Sequence, residues 1–168
     1  VCGRNDGTIT NCYNAGNLTV IESSATIGGI CGYNSGTVTN CYNTGTVTAT
    51  GQVASVGGVC GCSTAPISNC YNIGTVTATS SDADISGICG YNFGPITDEN
   101  GSKTTAQFAS GEIAYLLSQG CSTGEGDDAE TYDGSIWGQA LGENGDTYPV
   151  LKKAGDAKNT VYRNETYP

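Results

Sequence analysis

Along the first hundred residues, apolar and polar positions recur on a fixed beat. Cys2, Cys31, Cys60 and Cys89 fall on one column, and Cys12, Cys41 and Cys70 on a second, each 29 residues after the last. Apolar columns keep the same step: Ile9, Val38, Ile67, Ile96; then Leu18, Val47, Val76; then Val1, Ile30, Val59, Ile88. A constant period without slippage predicts a solenoid, in which each coil buries its apolar face only by stacking on its neighbours.

Within one coil the pattern predicts three strand-like runs, 27–33, 37–42 and 46–50, rich in Val, Ile, Thr and Tyr. Asn34-Ser35-Gly36 and Asn43-Thr44-Gly45 separate them, and Asn and Gly tolerate the backbone conformations that corners need. Three runs and a variable loop at 51–55 predict a triangular parallel β-helix, mainly β, of about three to four 29-residue coils over residues 1–100. Equivalent residues then lie about 4.8 Å apart along the axis. Asn11, Asn40 and Asn69 form one Asn column, Asn14, Asn43 and Asn72 another, and stacked amides are expected to hydrogen-bond along the axis. Tyr13, Tyr42 and Tyr71 are expected to stack, as packing in preference to a sugar-binding strip. The third coil departs from the pattern: Cys62 replaces Tyr, Ser63 replaces Asn, and Pro66, like Pro95, stands where Thr8 and Thr37 stand. Proline is tolerated at a strand's first residue.

Composition narrows the partners. The 168-residue chain holds 26 Gly, no His, and 6 basic against 16 acidic residues, a formal charge of −10. Its few cations, Arg4, Lys103, Lys152, Lys153, Lys158 and Arg163, are scattered, which argues against nucleic acid, whose phosphates need clustered Lys and Arg. Only Asp6, Glu22, Asp82 and Asp84 are acidic before residue 98, so a change of composition marks a boundary near Asp98. No apolar run is long enough to insert this stretch in a membrane. The chain opens inside a repeat, so it reads as a fragment of a larger parent protein with other domains.

Nine cysteines would ordinarily suggest a disulfide scaffold. Here seven sit in two repeat columns at core positions, where stacked side chains point the same way, so free, buried thiols are expected, and an odd count leaves one unpaired in a monomer. Without His or a CxxC pair, no metal site is expected at the thiols, and no cofactor is expected anywhere. Thr46, Thr48 and Thr50 above Thr75, Thr77 and Thr79, with Thr19 before them, form an outward array that resembles an ice-contacting face, though Thr is also a good solvent-facing strand residue. The nominated surface contacts are Thr46, Thr48, Thr75, Thr77 and Trp137. Catalysis is not expected, because Ser-His and Cys-His pairs are impossible and carboxylates are sparse in the repeats.

Beyond residue 100 the repeat dissolves, and residues 101–168 are expected to form a small α+β cap. Ser110 as N-cap, Glu112 in the first turn and Gly120 past the end predict a short helix, with Ala109, Ile113, Leu116 and Leu117 on one face. Such a helix would cover the open end of the stack. The acidic stretch 121–134 reads as a surface loop, with calcium binding as its rival reading. Short strands follow in SIWGQAL, TYPVLKK and NTVYRNET, anchored by Trp137, Tyr148, Pro149, Val150 and Leu151. An exposed Trp137 acting as a carbohydrate platform is the functional alternative.

The stretch GGICGYNSGTVTNCYNTGTV resembles the GLUG-type repeat of bacterial cell-surface proteins and of some secreted IgA-cleaving metallopeptidases outside their catalytic domains. The likeness covers about residues 1–97. FASGEIAYLL, WGQALG, YPVL and VY resemble the segment that often follows such repeats in large surface proteins of gut Gram-positive bacteria. Cys31, Cys60 and Cys89 stand where that repeat usually has Val or Ile. The resemblance implies extracellular display, no established chemistry and no functional residue to carry over. Three functions follow as expectations: a non-catalytic, surface-displayed adhesive or spacing module that meets host glycans or proteins; an ice-binding solenoid; or a carbohydrate-active β-helix enzyme.

Overall fold

The computed structural model describes residues 2–52, 54–97, 105–119, 136–141 and 145–152. The chain divides into two compact units, Val1–Asn100 and Gly101–Pro168.

The first unit is a parallel β-solenoid, and five ribbons of short strands run along it. The first ribbon joins Cys2–Asn5, Cys31–Asn34, Cys60–Ser63 and Cys89–Asn92. The second joins Thr8–Thr10, Thr37–Thr39, Ile67–Ser68 and Ile96–Thr97. Tyr13–Asn14, Tyr42–Asn43 and Tyr71–Asn72 make the third, and Leu18–Val20, Val47–Ala49 and Val76–Ala78 the fourth. Thr26–Gly28, Ser55–Gly57 and Asp84–Ser86 make the fifth. Every pairing in these ribbons is parallel and in the register of the repeat: Cys31 pairs with Cys2 and Cys60, Val38 with Ile9 and Ile67, Val47 with Leu18 and Val76.

The three runs expected in each coil are therefore cut into five strands. Gly29 and Ile30 bend the first run, because the chain there passes so close to the next coil that a Cβ on Gly29 would strike the Gly58 carbonyl oxygen and the Asn43 side chain. Asn40 breaks the second run with φ 54°, as do Asn11 and Asn69 at φ 55° and 51°. Asn adopts this left-handed conformation more readily than most residues, so this column serves the corner. The loop expected at 51–55 ends early, since Ser55 already belongs to a strand; its Val53 lies outside the described residues, as does Val1 of the Ile30 column.

Pro66 and Pro95 fall one place before their strands, and the second ribbon narrows from three residues to two beside them. Thr37 donates its N–H to the Gly7 carbonyl at 2.8 Å, a bond that proline at the equivalent position cannot make. Proline still accepts: the Pro66 and Pro95 carbonyls take the N–H groups of Val38 and Ile67, each at 3.1 Å.

Among the described residues, apolar columns of the interior form two clusters. Ile30, Val38, Val59 and Ile67 form one together with the thiols of both Cys columns, and Val47, Ala49, Ala54 and Val56 form the other. Coil-on-coil stacking buries these side chains in the second coil completely, each large one contributing about 1.5–3 kcal/mol on leaving water.

Among its described residues the second unit holds two helices, Thr105–Ala109 and Glu112–Gln119, and an antiparallel pair, Trp137–Gly138 with Val150–Leu151. Ser110 caps the second helix as expected, its Oγ accepting the Glu112 N–H at 3.3 Å. A second, shorter helix precedes it, and Gly111 at φ 88° turns the chain between them. Ala109 consequently belongs to the earlier helix and is exposed, while Ile113 and Leu117 are buried as expected, with Ala114 and Tyr115 beside them. Gly120, the acidic stretch 121–134 with its calcium reading, and NTVYRNET lie outside the described residues.

Candidate functional site

The interior of the solenoid is a set of hydrogen-bonded ladders. Asn14 Nδ2 donates to Asn43 Oδ1 and Asn43 Nδ2 to Asn72 Oδ1, both at 2.7 Å. Each amide also ties its own corner, with Asn43 Nδ2 donating to the Gly45 carbonyl at 2.7 Å and Asn72 Nδ2 to that of Gly74 at 2.8 Å. A second ladder runs from Asn5 to Asn34 at 2.7 Å and on to the Ser63 hydroxyl at 2.9 Å. Asn34, Asn43 and Ser63 are wholly buried, so these ladders satisfy polar groups in the core and offer nothing to solvent.

The tyrosine column is packing as well. Tyr13, Tyr42 and Tyr71 stack with ring centroids 5.2 and 5.0 Å apart, and Tyr42 and Tyr71 are buried while Tyr13 is exposed.

Eight cysteines, all free, lie among the described residues: Cys31, Cys41, Cys60, Cys70 and Cys89 are buried, and Cys2, Cys12 and Cys62 half-buried. Most donate to the carbonyl two residues away, Cys41 to Thr39 and Cys70 to Ser68 at 3.1 Å, Cys31 to Tyr33 at 3.0 Å. Cys2 and Cys31 sulfurs approach to 3.6 Å. Burial pushes the Cys89 thiol up to about 12. The hydrogen bond between Cys31 and Cys60 holds Cys31 down, to about 7, and drives Cys60 far up, with burial adding to the rise. No group of three or more metal-ligating side chains is placed to hold a metal ion among the described residues.

Of the threonines nominated as surface contacts, Thr48 and Thr77 stand in register on one flank with their hydroxyls engaged. Thr48 and Thr77 bond to each other at 3.2 Å, and the neighbouring Thr79 and Thr50 hydroxyls donate to the Thr50 and Val20 carbonyls at 3.1 and 3.4 Å. Thr46 and Thr75 precede their strands and sit at the turn, where the Thr46 N–H donates to Asn17 Oδ1 at 2.9 Å. Thr48 is only half-exposed. A polar recess of about 520 Å³ at the adjoining corner is lined by Thr50, Gln52, Thr79, Ser80, Ser81 and Asp82, without an aromatic ring.

Trp137 is not a platform. Its side chain is 0 % exposed, held in the second unit against the helix Glu112–Gln119 and paired through the antiparallel strands with Leu151. The neighbouring Gln139 Nε2 donates to the carbonyls of Phe108 and Asp146 at 2.7 and 2.9 Å, fastening the same segment.

The outward aromatic surface lies elsewhere, on the first ribbon. Its outward column runs Arg4, Tyr33, Cys62, Tyr91, with Phe93 beside Tyr91. Tyr91 and Phe93 are 45 % and 69 % exposed. Arg4 pairs with Asp6 at 2.9 Å, and Asp6 also accepts from the Ser35 hydroxyl; Arg4 first and Ser35 second hold the Asp6 carboxyl below its ordinary range. The sequence carried one signal of this surface, the Cys at position 62 in a column that is Tyr in the coils on either side.

The fold and its ladders define a β-solenoid repeat module. A family model described as the GLUG motif matches residues 23–48, which take in the strands Thr26–Gly28 to Tyr42–Asn43 and part of Val47–Ala49. No curated protein and no solved structure matches the chain.

Proposed function

We propose that this chain is a non-catalytic repeat module displayed on the bacterial cell surface as part of a larger extracellular protein, where it spaces and presents binding surfaces. The observation that carries the reading is the shared register of successive coils: the ribbons repeat at the same 29-residue step with parallel pairing. Such a stack resists bending because any tilt between coils breaks several ladders at once. A surplus of acidic over basic side chains suits a soluble, non-adherent shaft, on which specificity comes from local patches. No helix among the described residues is long and apolar enough to cross a membrane.

Antibodies raised against the purified module test the display. They are expected to label intact cells of the producing organism, and labelling only after permeabilisation overturns the reading. Release of reducing sugar or of unsaturated product from acidic and neutral polysaccharides would overturn its non-catalytic part.

A further inference from the structure

In the third ribbon each aromatic rung touches the next, with ring centroids 5.2 and 5.0 Å apart. The outward column of the first ribbon is different: Tyr33, Cys62 and Tyr91 are in register, and the middle rung carries only a thiol. The Arg4 guanidinium lies 5.0 Å from the Tyr33 centroid, over the ring. Arg4, from the preceding rung, covers one face of the Tyr33 ring and leaves the opposite face for a guest at the Cys62 rung. Tyr91 bounds the far side, supported by Phe93 in an edge-to-face contact at 4.8 Å and 86°.

We propose that this notch, floored by Cys62 and walled by Tyr33 and Tyr91, binds one hexopyranose ring of a neutral glycan. The size of the gap selects the ligand. Two rungs span about 9.6 Å at the usual strand spacing. A flat aromatic guest between two rings needs about 7 Å, two van der Waals contacts of about 3.5 Å each, and would leave one face empty. A saturated six-membered ring is thicker by its puckering and axial hydrogens, and fills the difference. Its C–H faces are weakly positive and match the negative faces of aromatic rings.

The rim supplies polar contacts of the right kind. The Thr64 hydroxyl donates inward, to the Asn34 carbonyl at 3.3 Å, and Ser35 spends its single proton between Asp6 and the Asn5 carbonyl, which leaves the lone pairs of both to accept from sugar hydroxyls. Asp6, in the preceding coil, already pairs with Arg4, so the cation beside Tyr33 is neutralised. A neutral sugar is thus favoured over an acidic one. This site rests on the reading of the module as a presenter of binding surfaces, and gives that reading a ligand class.

The test is a printed array of neutral and acidic oligosaccharides, followed by titration calorimetry of the whole chain with the strongest neutral binder. Cys62→Tyr installs the residue of the adjoining coils and fills the notch; Tyr91→Ala removes a wall. The expected result is wild-type binding to neutral hexopyranose glycans, lost at least tenfold in both variants with circular dichroism unchanged. Should one variant fail to fold, the other decides. Undiminished binding in a folded Cys62→Tyr protein overturns the site while leaving glycan presentation elsewhere on the module. An array with no neutral binder, or with acidic binders alone, overturns the ligand class and leaves the display reading to its own antibody test.

Discussion

Asn43 and Asn72, 29 residues apart, share a hydrogen bond of 2.7 Å inside the solenoid, and Asn43 accepts an identical bond from Asn14. Asn43 is wholly buried, so its amide is the middle link of a chain that has no water to replace it. Buried polar links of this kind fix the stacking register, because a slip by one residue would leave all three amides without axial partners.

Asn43→Leu is expected to lose about 2–4 kcal/mol, since it removes the axial bonds to Asn14 and Asn72 and the donor to the Gly45 carbonyl. Urea titration of the variant measures the loss. A change under about 0.5 kcal/mol, the size of an ordinary surface substitution, would mean that the ladder contributes nothing to stability.

Gly29 and Gly3 make a contrasting pair. A methyl group at Gly29 meets backbone of the next coil and the Asn43 side chain, whereas at Gly3 it meets open space. Gly29→Ala is expected to destabilise by about 1–3 kcal/mol or more, as overpacking does, and Gly3→Ala to be near neutral. Comparing their melting temperatures checks both.

Thiol accessibility should divide the cysteines. In the folded chain, Cys2, Cys12 and Cys62, which are half-buried, are expected to react first with an aromatic disulfide reagent. Cys31, Cys41, Cys60, Cys70 and Cys89 should react only as the protein unfolds. Mass spectrometry of the labelled peptides assigns the order, and early labelling of Cys60 would contradict the packed interior.

Alkali should weaken the fold through the same interior. Cys60 and Cys89 are raised in the folded state from an ordinary 9.0, Cys89 to about 12, so the folded chain holds protons that the unfolded chain gives up. Both contributions are complete below pH 9; that of Cys89 is lost as pH climbs from there through about 12, and that of Cys60, raised further, goes on falling beyond it. Cys31, lowered to about 7, acts in the opposite sense, adding stability between about 7 and 9 and nothing further above. The urea midpoint is therefore expected to fall above pH 9, and less steeply in a Cys60→Val, Cys89→Val double variant.

Much of this architecture was legible in the residues. The recurrence of Cys, Asn, Tyr and Val columns gave the period and the in-phase stacking, and the pairings of Cys31, Val38, Tyr42 and Val47 agree with it. What misled was the assumption of three straight runs. Gly29 and Asn40 turn the chain inside two of them, so inward and outward no longer alternate from one end of a run to the other. Trp137 was open to two readings for a similar reason, since no repeat surrounds it to say which way it faces.

By itself, then, the sequence determined which side chains lie on top of one another, because a periodic chain that stacks must superpose like on like to bury its apolar face. Only the tertiary structure decided the direction in which each column points: Tyr42 and Tyr71 into the core, Tyr91 and Phe93 out to solvent, Trp137 into the second unit. Direction depends on the angle at every corner, and those angles are set by close approach between coils that are far apart in the chain.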